Sequence, residues 1–175
     1  MVKIISVANQ KGGVGKTTTS INLATSLSAI KKKILLIDAD PQGNASTGIG
    51  ISYENRSPNL YDLIVNEVLD LNAIKKTIVP GLDIITANTN LAASEIELAA
   101  VKNREFVLLN LLSKIDGYDY ILIDCPPALG LLTINALVAS QSVIIPLQSE
   151  FFALEGISSL INSIELIKEN FNQKL

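Results

Sequence analysis

The sequence predicts an α/β fold, a mostly parallel β-sheet with helices on both faces. Three observations carry this. Short runs rich in Ile, Leu and Val recur along the 175 residues, helix-period stretches separate them, and a glycine-rich loop follows the first run directly. Near-continuous apolar strands suit a sheet buried on both faces, and strand–helix alternation implies right-handed crossovers.

The elements follow in chain order. Residues 2–8 read as a first strand, too short and polar-ended for a secretory leader. A helix is predicted over 17–29 and a second strand over 33–37. Residues 43–58, rich in Gly, Ser and Asn, read as a mobile surface loop. A helix over 60–65, a strand over 82–86 and helices over 91–100 and 104–115 come next, with Asn103 or Ser113 a cap or an interruption. Strands over 120–123 and 143–146 alternate with helices over 131–138 and 154–169. Lys31-Lys32-Lys33 and Lys75-Lys76 read as solvated turns or helix ends.

Composition narrows the chemistry. The chain has no histidine and one cysteine, Cys125. That excludes a Ser-His-Asp triad, a histidine base, an intrachain disulfide and a Cys-rich zinc site, and it suits a reducing cytoplasm. Apolar residues at 48% and charged ones at 18% describe a globular chain, and the net charge of −3 argues against a strongly basic nucleic-acid module. No apolar run reaches the ~20 residues needed to span a membrane. Catalysis must rest on carboxylates, amides, hydroxyls, lysines, backbone N–H groups or a hard cation.

After the first strand stands Asn9-Gln10-Lys11-Gly12-Gly13-Val14-Gly15-Lys16-Thr17-Thr18. Glycines let successive N–H groups turn toward phosphate oxygens, and the helix that follows aims its positive end at the same anion. Lys16 suits the β- and γ-phosphates and the Thr17 hydroxyl suits Mg²⁺. The strict pattern has Gly five places before Gly15, where this chain has Gln10; Lys11 opens the loop instead. Such a loop arises by chance in this length with probability on the order of 10⁻⁵.

Asp38 and Asp40 lie two apart at a strand end, so the period of two predicts a shared face. Asp38 supports the site or makes a strand-end hydrogen bond. Gln42 and Asn44 steer water or nucleotide, or form a turn with Pro41 and Gly43. Asp124 ends a strand buried by composition, where a carboxylate needs a partner, and Mg²⁺ with its waters is a natural one. Cys125 reads as a small buried hydrophobe.

Lys11 through Thr18 resembles the deviant Walker A loop of the ParA/MinD group of P-loop ATPases. Asp38-Ala39-Asp40-Pro41-Gln42-Gly43-Asn44 resembles that group's second motif, and Asp124-Cys125-Pro126-Pro127 its Walker B equivalent. The run Asp124 to Leu137 and Phe151-Phe152-Ala153-Leu154-Glu155-Gly156 resemble the Soj/ParA chromosome-partitioning branch.

The resemblance implies one three-layer P-loop NTPase domain over 1–175, using ATP and Mg²⁺. It implies a nucleotide cradle of Lys11, Gly12, Gly13, Val14, Gly15, Lys16, Thr17 and Thr18, with Thr17 and Asp124 serving the metal. Lys11, Lys16 and Asp40 take the catalytic roles: Asp40 places the attacking water, and Lys11 reaches across a dimer to the partner's nucleotide. The loops over 43–58 and 126–130 become switches. It further implies an ATP-dependent homodimer, nonspecific DNA, a ParB-type centromere-binding partner, and a cytoplasmic, nucleoid-associated location without stable membrane attachment. In relatives the adenine-holding segment, the DNA-binding basic residues and the final strands lie beyond Leu175. The expectation is therefore a domain shortened at its C-terminus, with an apolar edge exposed near 143–146. The alternatives are a MinD-like membrane-surface ATPase, which needs a basic amphipathic C-terminal helix, and a nucleotide-binding remnant that does not switch. An iron–sulfur carrier of the nitrogenase iron-protein kind needs bridging cysteines that a lone Cys125 does not supply.

Overall fold

The computed structural model describes residues 2–148 and 153–175; the Phe151-Phe152 pair lies outside the described residues. Among the described residues the strands are β1 (Lys3–Val7), β2 (Ile34–Asp38), β3 (Ile74–Lys76), β4 (Leu82–Ile85), β5 (Tyr120–Asp124) and β6 (Ser142–Ile144). They form one sheet in the order β3-β4-β2-β5-β1-β6. Every pairing is parallel except β3 with β4. The helices are α1 (Lys16–Ala29), α2 (Asn44–Gly48), α3 (Leu60–Asn66), α4 (Leu91–Glu97), α5 (Val107–Leu112), α6 (Leu131–Ala139) and α7 (Ala153–Asn170).

The apolar runs work as their composition demands. Along β2, Ile34 and Leu36 pack with Ala24 of α1 and Ala45 of α2. Leu35 and Ile37 face the other way, into a core shared with Leu63 of α3, Leu91 of α4, Leu111 of α5 and Ala136 of α6. The sheet is thus covered on both faces, as the continuous Ile and Leu of its central strands predict. α7 packs on α6 through Ile167 against Leu137 and Val138.

Three local readings change. Residues 43–58 are not simply a surface loop: they contain α2 and a 3₁₀ turn at Tyr53–Asn55, and Ala45, Ser46, Ile49 and Arg56 are buried. Lys75 and Lys76 stand in the antiparallel strand β3, where Lys75 Nζ donates to Ser57 O and Lys76 pairs with Asp83 at 2.7 Å. The helix over 104–115 is a 3₁₀ turn, Arg104–Phe106, running into α5, with Asn103 left-handed at φ 57° before it. Buried Asn135 of α6 fixes this junction: its Oδ1 accepts from Leu108 N–H at 3.0 Å, and its Nδ2 donates to Arg104 O and Leu131 O.

Candidate functional site

The C-terminal ends of β1, β5 and β2 converge, the place where open α/β sheets meet ligands. Val7 is the register partner of Asp124, and Asp124 of Asp38. From β1 the chain enters the glycine loop. Gly13 and Gly15 have φ of 74° and 91°, values that side chains rarely adopt, and a Cβ at Gly12, Gly13 or Gly15 would meet nothing within 4 Å. Among the described residues no backbone N–H from Gly12 through Thr18 has a protein acceptor; Thr19 N–H, on Gly15 O at 2.8 Å, is the first that does. Those unfilled donors ring a hollow of about 500 Å³ lined by Gly12, Gly13, Gly15, Lys16, Thr17, Thr18, Asp40, Gln42, Asn44 and Pro127. Unpaired N–H groups at the start of a 14-residue helix favour an anion there.

Lys16 opens α1 and is buried, with Nζ donating to Lys11 O at 3.1 Å. Burial lowers its pKa, and the charges of Asp124 and Asp40 work against that. Asp124 is fully buried at the end of β5. Its Oδ1 accepts from Ser20 Oγ at 2.8 Å, while Oδ2 is buried without a partner. Burial raises its pKa, against the neighbouring hydroxyls of Thr17 and Ser20. An orphaned carboxylate oxygen behind the Thr17 hydroxyl fits a hard cation that draws its remaining ligands from water and a phosphate. Among the described residues no cluster of three or more acidic, His or Cys side chains forms a self-sufficient cage.

Asp38 and Asp40 do not share a face. β2 ends at Asp38, and the chain then turns, with Gly43 N–H on Asp40 O at 2.9 Å. Asp40 faces the hollow, its Oδ1 accepting from Gln42 N–H at 2.9 Å. Asp38 points toward α2 instead: Oδ2 accepts from Ser46 N–H and Ser46 Oγ, each at 2.7 Å, and Oδ1 from Asp40 N–H at 3.3 Å. Of the two readings open for Asp38, this is the strand-end hydrogen bond. Burial pushes its pKa up to about 7 despite those bonds. Gln42 and Asn44 both form the turn and line the hollow.

Not every cradle residue reaches the hollow. Val14 is buried, so it offers its backbone alone. Lys11 contributes its carbonyl to Lys16, and its N–H is held by Asn9 Oδ1 at 3.0 Å; its side chain does not line the wall. Cys125 is buried with its thiol pKa pushed up to about 12 by burial, so it is inert. The sequence reading passed over Ser20, which lies four residues after Lys16 and hence on the same helix face. It also passed over Arg56, which lines a second hollow of about 500 Å³ that shares Gln42 with the first.

Comparison with known proteins places the whole chain within one family. An AAA domain family model matches residues 2–175. The chain is 51% identical to the sporulation initiation inhibitor protein Soj of Bacillus subtilis, across 100% of its own length and 70% of that protein's. It is 49% identical to the chromosome partitioning protein ParA of Caulobacter vibrioides, across 99% and 66%. The chain therefore spans about two thirds of the length of these relatives. Among solved structures, a cobyrinic acid a,c-diamide synthase from Mycobacterium smegmatis with bound ADP and magnesium is similar at a TM-score of 0.95 and 36% identity, covering 100% of this chain and 71% of that one. A plasmid partition protein from Borrelia burgdorferi is similar at a TM-score of 0.85 and 33% identity, covering 96% and 75%.

Proposed function

This chain belongs to the ParA/Soj family of partitioning ATPases, and from that premise we propose that it is an Mg²⁺-dependent ATPase whose nucleotide state is its output. One observation supports this most directly: Lys16, Thr17 and Asp40 line one hollow of unfilled N–H donors, and a carboxylate with a bare buried oxygen, Asp124 Oδ2, lies beside it. Lys16 and the N–H groups from Gly12 to Thr18 hold the phosphates. Thr17 and Asp124 hold Mg²⁺, which supplies charge neutralisation on the phosphate oxygens when bound. Asp40 orients the attacking water, a task that needs position and charge more than base strength. With no histidine in the chain, a carboxylate is the group suited to it.

The finer reading is a switch. ATP brings two copies together, Lys11 of each serving the other's nucleotide, and hydrolysis parts them. The dimer engages DNA without sequence preference, and a ParB-type partner stimulates turnover. Relatives named for partitioning, at about half-identity, support this output.

The deciding measurement is Mg²⁺-dependent phosphate release from ATP by this chain, with and without nonspecific DNA, beside the Lys16→Ala and Lys11→Ala variants. Turnover lost in Lys16→Ala, and dimerisation lost in Lys11→Ala, are expected. No turnover together with no ATP binding sinks the ATPase reading, and ATP-dependent pelleting with anionic liposomes sinks the DNA output in favour of a membrane-surface one.

A further inference from the structure

Arg56 lies in the stretch that composition assigns to a loop, yet it is 6% exposed. A guanidinium buried that deeply needs partners, and its hydrogen-bond acceptors lie on Thr47 of α2, on Ile51 just beyond it and on Ala87 just past the end of β4, while its Cζ sits 5.7 Å from the centre of the Tyr53 ring. Nη2 donates to Thr47 Oγ1 at 2.7 Å and to Ile51 O at 3.2 Å; Nε donates to Ile51 O at 3.3 Å; Nη1 donates to Ala87 O at 3.2 Å. The nearby carboxylate of Glu54 is exposed and beyond ion-pair distance.

The bonds continue from Arg56 to the site. Thr47 Oγ1 donates to Gly43 O at 3.1 Å, and Gly43 N–H donates to Asp40 O at 2.9 Å. Gln42 N–H closes the turn on Asp40 Oδ1 at 2.9 Å. The guanidinium also packs against the turn: a Cβ added to Gly43 would overlap Arg56 Nη1 and crowd Ala87 O. Ala87 is held from both sides, its C=O by Arg56 and its N–H by Ser46 Oγ at 3.1 Å. The turn that points Asp40 and Gln42 into the phosphate hollow is thus clamped to the sheet, and Arg56 spans the clamp.

We infer that Arg56 is a positioning residue for Asp40 and Gln42, holding the turn in its attacking geometry through the planar fork of its guanidinium. The inference rests on the proposed role of Asp40. A fork fixed in one plane can serve three acceptors at set angles; a lysine carries the same charge but not that geometry.

The test compares wild type with Arg56→Met, Arg56→Lys and Thr47→Val. Three quantities are measured: kcat and KM for ATP, the Kd for Mg²⁺·ADP, and residue-resolved amide hydrogen exchange. The expected result is a kcat lower by about 10- to 100-fold in Arg56→Met, with nearly as large a loss in Arg56→Lys, as misplacement of a reacting group produces. KM and the Kd for Mg²⁺·ADP should hold within about twofold. Exchange should quicken at Gln42 and Gly43 while the amides of β2 and β5 stay protected. Wild-type kcat in Arg56→Met, or full rescue by Lys, overturns the inference. If Arg56→Met loses protection throughout the sheet, Thr47→Val decides: faster exchange at Gly43 supports the clamp, and unchanged exchange overturns it. Should the wild type hydrolyse no ATP, the failure belongs to the proposed function, and the exchange at Gln42 and Gly43 still decides the clamp.

Discussion

Asp38 and Asp124 are register partners on β2 and β5, yet their carboxyls are treated in opposite ways. Both oxygens of Asp38 accept bonds from the chain, whereas Asp124 keeps Oδ2 buried and bare. Burial is the main cause that raises both pKa values; the charge of Asp124 adds to it at Asp38, and that of Asp40 at Asp124. The pair divides the strand ends into an acid satisfied by α2 and an acid with one buried oxygen left bare.

A bare buried carboxylate is a strain on the metal-free fold and an asset once a cation arrives. Asp124→Asn is therefore expected to leave the thermal midpoint of the metal-free protein unchanged or higher. In wild type, Mg²⁺ should add to the stabilisation given by ADP, following the linkage between binding and folding. In Asp124→Asn that added increment should vanish. Thermal scans of both proteins with ADP, with and without Mg²⁺, measure it; a full increment in the variant removes Asp124 from the metal's ligands.

Asp38 makes stability fall as pH rises. Its folded pKa of about 7 lies above the ordinary carboxyl value of 3.8. Between those values the native state holds a proton that the unfolded state has lost, so the contribution is present below about pH 4 and is lost by about pH 7. Asp124, shifted in the same direction, adds the same sign. Urea unfolding from pH 4.5 to 7.5 should show declining stability in wild type and a flatter profile in Asp38→Asn, at a lower level because Asn places a donor against Asp40 N–H. An unchanged slope in Asp38→Asn assigns the pH dependence elsewhere.

Asn135 sits in the run that resembles the partitioning branch, but its side chain is spent on the fold. It is buried, accepts from Leu108 N–H and donates to two carbonyls. Asn135→Ala leaves an N–H and a carbonyl of the α5–α6 junction without partners, at a cost of about 2–3 kcal/mol. Chemical denaturation reads this, and the Kd for Mg²⁺·ADP should not move in the protein that remains folded.

The legible parts were those in which one local signal suffices. Among the described residues, β2 and β5 announce themselves because Ile and Leu fill both faces of a covered sheet, β1, β4 and β6 do so by shorter apolar runs, and the glycine loop does so by its three glycines, two of them at positive φ. β3 escaped because Ile74-Lys75-Lys76 is an edge strand, two of whose three side chains are charged. α2 escaped because Asn44-Ala45-Ser46-Thr47-Gly48 has poor helix propensity; side chains outside the helix, Asp38 before it and Arg56 after it, hold it in place. The same blindness hid the clamp, since nothing adjacent to Arg56 in sequence distinguishes it from a solvated surface arginine.

The N-terminus of α6 yields a prediction of sign. Glu95 of α4 places Oε1 on Leu132 N–H at 3.2 Å, so a carboxylate meets the positive end of the nine-residue helix that follows Asp124 and Pro127. Gly130, the cap residue, has an ordinary φ of −83°, so its backbone tolerates a side chain; what opposes one is the Glu95 carboxylate, which an added Cβ would overlap. Gly130→Ala in wild type must displace that carboxylate and lose its contact with the helix end, about 0.5–1 kcal/mol. With Glu95→Ala already present the obstacle is gone, and the same substitution should stabilise by about 0.4–1 kcal/mol through the reduced freedom of the unfolded chain. Urea unfolding of the four proteins of this cycle measures the coupling. Equal effects of Gly130→Ala in both backgrounds would mean that Glu95 does not hold the start of α6; a reversal of sign means that it does, and that α4 is braced against the loop bordering the phosphate hollow.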